Sequence, residues 1–147
     1  MTLDYSDETI QFDVHWQNQE YALALAVYYA YGRPFWLTDM VADYYERKGL
    51  INRAMEEYEY LIGEYLKIRP DFLPFPNGPR ELYLLGRWYA SKDKTKAKKY
   101  LKLYLDAEAK HKTEPALYLP YKHKARKLLR KLNSITKGNS DGRVERP

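Results

Sequence analysis

Few residues in this sequence have the types and spacing that catalysis or metal binding requires. The three histidines, His15, His111 and His123, lie far apart in the sequence, and only His111 has a carboxylate at helical ligand spacing, for example Glu108. The sequence contains no pattern of a nucleophile with a neighbouring base, and no glycine-rich phosphate loop. Cysteine is absent, which excludes disulfides, thiolate zinc sites and cysteine nucleophiles. We therefore expect no enzymatic activity, no metal and no cofactor.

One acidic cluster resembles the carboxylates of some metal sites. Asp39, Asp43 and Glu46 share one face of a predicted helix. Helical metal sites of this kind combine such carboxylates with Glu-x-x-His motifs on two further helices, and the sequence has only one such spacing, Glu108 to His111. We expect this cluster to be an exposed acidic face.

The charges are divided unequally between the two parts of the chain. Residues 1–86 contain 7 Lys and Arg against 14 Asp and Glu, whereas residues 87–147 contain 18 against 6. The first part is therefore net negative and the second strongly positive. Such a dipole could steer an acidic partner, either RNA or an acidic protein, to the C-terminal part.

The spacing of apolar residues and the turn residues between them predict six helices. Their approximate ranges are Gln17 to Tyr31, Phe35 to Lys48, Ile51 to Lys67, Pro79 to Ser91, Lys94 to Lys110, and Pro120 to Ile135. The first should be largely buried, because it is apolar around most of its circumference. In the third, four glutamates are expected to point outward. They are Glu56, Glu57, Glu59 and Glu64.

These helices predict one helical domain over residues 17–136, with a separate segment at each end. Residues 1–16 form an N-terminal arm, either extended or a short helix, whose Phe12 and Trp16 dock on the helices. Residues 69–77 form a proline-rich loop. Residues 137–147 contain too little apolar surface to bury and are expected to be disordered.

Two stretches of the chain are similar to each other at fixed offsets. When Phe35 is the first position of the first copy, small and aromatic residues follow at regular places: Val41, Ala42, Tyr45, Gly49, Ala54, Tyr58 and Leu61. The second copy starts at Pro79 and matches at Leu85, Gly86 and Tyr89. Its alanine, Ala97, comes one residue early, and its turn lacks the glycine.

This pattern resembles the tetratricopeptide repeat family. The resemblance implies a short α-solenoid of antiparallel helix pairs, with repeats over about 35–68 and 79–110 and a capping helix over 120–135. A generic helical bundle is the alternative fold, because small and aromatic residues at spacings of three and four occur in any bundle.

Members of this family generally bind peptides or protein segments in a concave groove. Carried over to this chain, the groove positions are Trp36, Asp39, Asp43, Glu46, Arg80, Tyr83 and Arg87. The members that clamp a C-terminal carboxylate have lysine and asparagine where Asp39 and Asp43 stand here, so an acidic C-terminus should not bind in that way. The resemblance thus implies a non-enzymatic interaction or scaffold module that binds a protein segment.

The alternative function is RNA or ribosome association through the basic C-terminal helices. Its candidate residues form rows at helical spacing: Lys94, Lys98, Lys102, Lys122, Arg126, Lys127, Arg130 and Lys131. No recognised nucleic-acid motif accompanies them.

The sequence also suggests where the protein works and whether it self-associates. Its longest apolar run, Tyr21 to Tyr31, is about half the length of a membrane span, so we expect a cytoplasmic protein with no membrane partner. Self-association is suggested by the arm at Phe12 and Trp16 and by the apolar loop at residues 72–75.

Overall fold

A computed structural model describes residues 6–68, 80–111 and 120–145, and their side chains except those of 108–111 and 135–145. The elements in these ranges are all α-helices, which confirms the predicted all-α class. They are α1 (Asp7–Gln17), α2 (Tyr21–Ala30), α3 (Phe35–Arg47), α4 (Ile51–Ile68), α5 (Arg80–Tyr89), α6 (Lys94–His111) and α7 (Lys122–Glu145). Within the described residues, no helix has the length and apolar character that crossing a membrane requires.

The chain divides into two compact units. Unit 1 comprises residues 1–64 and unit 2 comprises residues 65–147, so the boundary lies inside α4. The single helical domain predicted over residues 17–136 spans parts of both units. The predicted loop at 69–77, with its apolar residues 72–75 and the adjoining Pro79, lies outside the described residues.

The N-terminal segment of unit 1 is a helix, the second of the two predicted forms. Phe12 of α1 is fully buried and its ring stacks on Trp16 at 4.9 Å between centroids. Trp16 in turn meets Tyr44 of α3 edge-on at 5.6 Å. Both aromatic residues therefore dock on the unit, as the sequence predicted.

A turn that was not predicted from the sequence separates α1 from α2. The predicted helix from Gln17 begins only at Tyr21. Gln19 adopts the left-handed conformation (φ 61°), and the backbone N–H of Glu20 donates to the carbonyl of His15 at 2.8 Å. This arrangement ends a helix, but it usually uses glycine or asparagine, so a glutamine gives little sign of it.

The prediction that this helix is largely buried is also wrong. Only Ala24 and Tyr28 of α2 are buried, whereas Leu23 is 50% exposed. The helix packs on α1, and its Tyr28 and Tyr29 also hydrogen-bond to α3 and α4. Its exposed residues include Ala22, Leu23, Ala26 and Ala30.

The turn between α3 and α4 forms as predicted. Gly49 has a φ of 79°, and the backbone N–H of Leu50 donates to the carbonyl of Tyr45 at 2.9 Å. Glycine adopts this conformation at little cost because it lacks a Cβ. The chain therefore reverses within three residues.

Unit 2 is built from α5, α6 and α7, with α5 packed on α6 and α6 packed on α7. Asp93 caps α6 as predicted, since its Oδ1 accepts from the backbone N–H of Lys96 at 3.1 Å. The inner stripe of α7 includes the buried Ala125 and Leu132.

The last helix is longer than the sequence predicted. It runs to Glu145, whereas the expected end was Ile135 and a disordered tail was expected from residue 137. The added segment contains Gly138 and Gly142, which have low helix propensity, and it has no apolar stripe, so the sequence of residues 137–145 does not indicate this extension.

Gly86 allows the close approach of α5 to α6, and replacing it should destabilise unit 2. A Cβ at this position would lie 2.6 Å from the Cδ2 and Cγ atoms of the fully buried Leu101. Overpacking of this kind costs about 1–3 kcal/mol, partly offset by the better helix propensity of alanine, about 1 kcal/mol.

We therefore expect Gly86→Ala to lower the free energy of unfolding by up to about 2 kcal/mol, and by about 1–3 kcal/mol relative to the control below, measured by urea denaturation. Gly63→Ala in α4 is the matched control, because a Cβ there meets no atom within 4 Å. A Gly86→Ala protein that is as stable as the control would contradict the close contact.

Candidate binding site

The predicted groove residues of unit 1 are partly occupied by contacts within the chain. Trp36 is 51% exposed, and its Nε1 donates to the hydroxyl of Thr9 at 2.9 Å. Asp43 pairs with the arginine one turn later at 2.8 Å, and Glu46 accepts from a tyrosine of α4, also at 2.8 Å. Asp39 is partly exposed. A ligand would have to compete with these contacts.

The predicted groove residues of unit 2 differ widely in exposure. Tyr83 is only 4% exposed and stacks face to face on Tyr121, with 4.6 Å between the ring centroids and 3° between the planes. Arg87 is exposed, and its guanidinium carbon lies 5.7 Å from the centroid of the Tyr83 ring. Arg80 is partly exposed. Tyr83 therefore packs inside the unit, with one face of its ring covered by Tyr121.

A buried polar network in unit 1 corrects another prediction. Glu57, expected to point outward, is 4% exposed. Its Oε1 accepts from the Tyr28 hydroxyl at 2.7 Å and from Nη2 of Arg33 at 3.1 Å. Its Oε2 accepts from the Tyr29 hydroxyl at 2.8 Å. These hydrogen bonds compensate the cost of burying a carboxylate.

The pKa values of three groups in this network are shifted in the directions that these contacts predict. Burial, followed by the hydrogen bond to Glu57, raises the pKa of Tyr28 well above its usual value. Burial also raises the pKa of Tyr29, with the hydrogen bonds to Tyr45 and Glu57 adding to the shift. Burial alone would lower the pKa of Arg33, but its hydrogen bond and charge interaction with Glu57 raise it. The tyrosines therefore remain protonated donors at neutral pH.

The sequence did contain one signal for the burial of Glu57. This residue follows Ala54 by three positions and precedes Leu61 by four, so it falls on the inward stripe of α4. The matching cation, Arg33, comes from a turn where it adopts a left-handed conformation (φ 57°) with its guanidinium 4.0 Å from the centroid of the Tyr60 ring. No local spacing predicts that contact.

A surface cavity adjoins this network. Its volume is about 420 Å³, and its lining contains two arginines, two glutamates and a tyrosine: Tyr29, Arg33, Arg53, Glu56 and Glu57. Because Glu57 and Arg33 already pair with each other, this cavity favours neither an anion nor a cation. Within the described residues, no group of three or more His, Asp or Glu side chains is placed to hold a metal ion.

The second cavity, in unit 2, has a strongly biased charge. It has a volume of about 290 Å³ and is called the basic pocket below. Its lining residues are Tyr83, Arg87, Lys124, Lys127, Leu128 and Lys131. Four of these six residues are cations and none is a carboxylate, whereas the other two, Tyr83 and Leu128, provide the apolar part of the lining, called its floor below. A site of this composition can bind an anionic ligand that also carries an apolar group.

The basic pocket brings together residues that the sequence assigned to two different sites. Tyr83 and Arg87 come from the predicted groove, whereas Lys127 and Lys131 come from the predicted basic patch. Lys124 and Leu128 were missed. The sequence could have placed them beside Lys127 and Lys131, because residues 124, 127, 128 and 131 have the spacing of one helix face.

The other residues of the predicted basic patch do not line this pocket. On α7, Arg126 and Arg130 are exposed and Lys122 is partly exposed. On α6, Lys94 and Lys102 are exposed. Lys98 is partly exposed.

Comparison with known proteins does not assign this chain to a family. Comparisons with protein-family models, with curated proteins and with solved structures found no match. The resemblance to tetratricopeptide repeats therefore stays a prediction from the residues quoted above. The basic pocket is the candidate site with the most uniform charge, because four of its six lining residues are cations and none is acidic.

Proposed function

We propose that this protein is a non-enzymatic binding module that holds an acidic protein segment in the basic pocket of unit 2. The observation that carries this proposal is that the pocket lining combines four cations, Arg87, Lys124, Lys127 and Lys131, with the apolar Leu128. The cations would bind carboxylates of the partner. The floor, which includes Leu128, would accept one apolar side chain and exclude water from it.

A protein segment fits this pocket better than single-stranded RNA does. Proteins that bind single-stranded nucleic acid stack bases on exposed aromatic rings. The aromatic ring in the floor belongs to Tyr83, which is buried and stacked on Tyr121. RNA binding through phosphates alone, across the wider basic surface of α6 and α7, is the alternative function.

The finer features of the proposal concern fold and cellular location. The helix pairs α3–α4 and α5–α6 would form a tetratricopeptide-like array with α7 as its capping helix. The Gly49 turn and the close approach at Gly86 support this arrangement. In the same proposal the protein acts in the cytoplasm as a scaffold, and the groove residues around Trp36 and Asp39 form a secondary contact surface.

A direct binding measurement on the full chain tests the proposal. The probes are a labelled peptide of glutamate and leucine, the same peptide with lysine for glutamate, and a short RNA duplex. We expect the glutamate peptide to bind most tightly. Lys127→Glu/Lys131→Glu should weaken its binding by about 10- to 100-fold, because like charges would then face each other.

The matched control is Lys94→Glu/Lys102→Glu, which changes the net charge equally at exposed positions of α6 outside the pocket. This control should retain affinity within about threefold at physiological salt, where distant charges are screened. If both variants lost the same amount of affinity for the glutamate peptide, the assignment of peptide binding to the basic pocket would be overturned. Tighter binding of the RNA duplex than of the peptide would favour the alternative function.

A further inference from the structure

The outer face of α1 carries exposed apolar side chains between acidic ones. Ile10 and Val14 are one turn apart and are 51% and 52% exposed. Asp7 and Asp13 are exposed on the same helix. Single exposed apolar residues are common, but a pair at this spacing with acidic neighbours forms a small amphipathic surface.

This surface has the composition that the basic pocket requires of a ligand. One side offers carboxylates around two aliphatic groups, and the other offers cations around an apolar floor. We propose that the occupant of the basic pocket is α1 of a second copy of this chain, which makes the protein self-associate head to tail. The proposal rests on the function proposed above and names its partner.

The packing of α1 favours this role. Phe12 and Trp16 hold the helix against unit 1 through their inward contacts. The outer face is therefore presented on a rigid element, which reduces the entropy lost on binding. The residues that suggested self-association from the sequence, Phe12 and Trp16, hold α1 in place, whereas Ile10 and Val14 would make the contact.

Charge also decides the geometry of association. If two copies met through α1 on each side, their aspartates would face each other, and like charges at an interface are unfavourable. A head-to-tail contact pairs Asp7 and Asp13 with Lys127 and Lys131 instead. Because each copy then keeps one free surface, association continues into a ring or an open chain.

A complementation experiment with full-length variants tests the proposal by analytical ultracentrifugation. The head variant is Ile10→Ser/Val14→Ser, and the tail variant is Lys127→Glu/Lys131→Glu. The wild type should increase in mass as its concentration rises from micromolar to millimolar, and less so at high salt. Each variant alone should remain a monomer. Their equimolar mixture should form a dimer, because each supplies the surface that the other lacks.

The matched control is Leu50→Ser/Ile51→Ser, which removes a second pair of apolar residues that are 46% and 44% exposed. It should associate like the wild type. A monomeric mixture of the head and tail variants, or a head variant that associates normally, would overturn the inference.

The two proposals fail differently. A wild type that binds the glutamate peptide but stays monomeric at millimolar concentration contradicts only the inference about α1. A wild type that binds no acidic peptide contradicts the proposed function itself.

Discussion

Glu57→Ala is expected to lower the free energy of unfolding by about 3 kcal/mol or more. The substitution removes the carboxylate that accepts three hydrogen bonds. The donors Tyr28, Tyr29 and Arg33 then each lose that partner. Tyr28 keeps one partner, because its hydroxyl also lies 2.7 Å from that of the buried Thr38. Arg33 is partly exposed and Tyr29 is 44% exposed, so water can replace part of the hydrogen bonding that these two donors lose.

Urea denaturation followed by circular dichroism measures this change, and hydrogen exchange shows whether the loss is confined to unit 1. Glu56→Ala is the matched control, since Glu56 is the exposed neighbour in the same helix. It should change stability by no more than about 0.5 kcal/mol. If Glu57→Ala is as stable as Glu56→Ala, the network contributes nothing and Glu57 must be solvated.

Phe12→Ala is expected to cost about 3–5 kcal/mol, as other large aromatic deletions in protein cores do. The side chain is fully buried and stacks on Trp16. Its removal leaves a cavity at the place where α1 docks. We therefore expect the amides of α1 to lose protection from hydrogen exchange before those of α4.

The control for this variant is Ile10→Ala on the outer face of the same helix, where Ile10 is 51% exposed. Its effect on the free energy of unfolding should stay below about 1 kcal/mol. A Phe12→Ala protein with the stability of the control would show that the docking of α1 adds little to unit 1.

Features that depend on nearby residues could be predicted from the sequence. The stripe of Ala54, Tyr58 and Leu61 predicted a buried helix face, and all three are buried. Gly49 predicted a helix end because few other residues adopt its backbone conformation cheaply. In each case the sequence directly contains the spacing or the residue type that causes the structure.

Features that join distant residues could not be predicted in this way. Tyr83 was assigned to a groove, but Tyr121, which follows it by 38 positions, covers its ring. The burial of Glu57 depends likewise on donors from α2 and on Arg33. Helix spacing places a residue on a face but does not say which partner lies opposite.

The sequence predicted the residues of the candidate site only in part and did not group them together. The sequence identified four of the six residues that line the basic pocket but divided them between a groove and a charged patch. Uniting them required knowing that α5 and α7 approach each other in unit 2. The apolar floor, which distinguishes a pocket from a solvated basic face, could not be inferred from charge alone.

The pairing of helices that are neighbours along the chain has a consequence for the rate of folding. The contacts between α1 and α2, between α5 and α6, and between α6 and α7 each close only a short segment. Proteins dominated by such local contacts fold within about microseconds to milliseconds. The bonds from α2 to Glu57 join more distant residues and would form later. Their loss should therefore accelerate unfolding and leave the folding rate nearly unchanged.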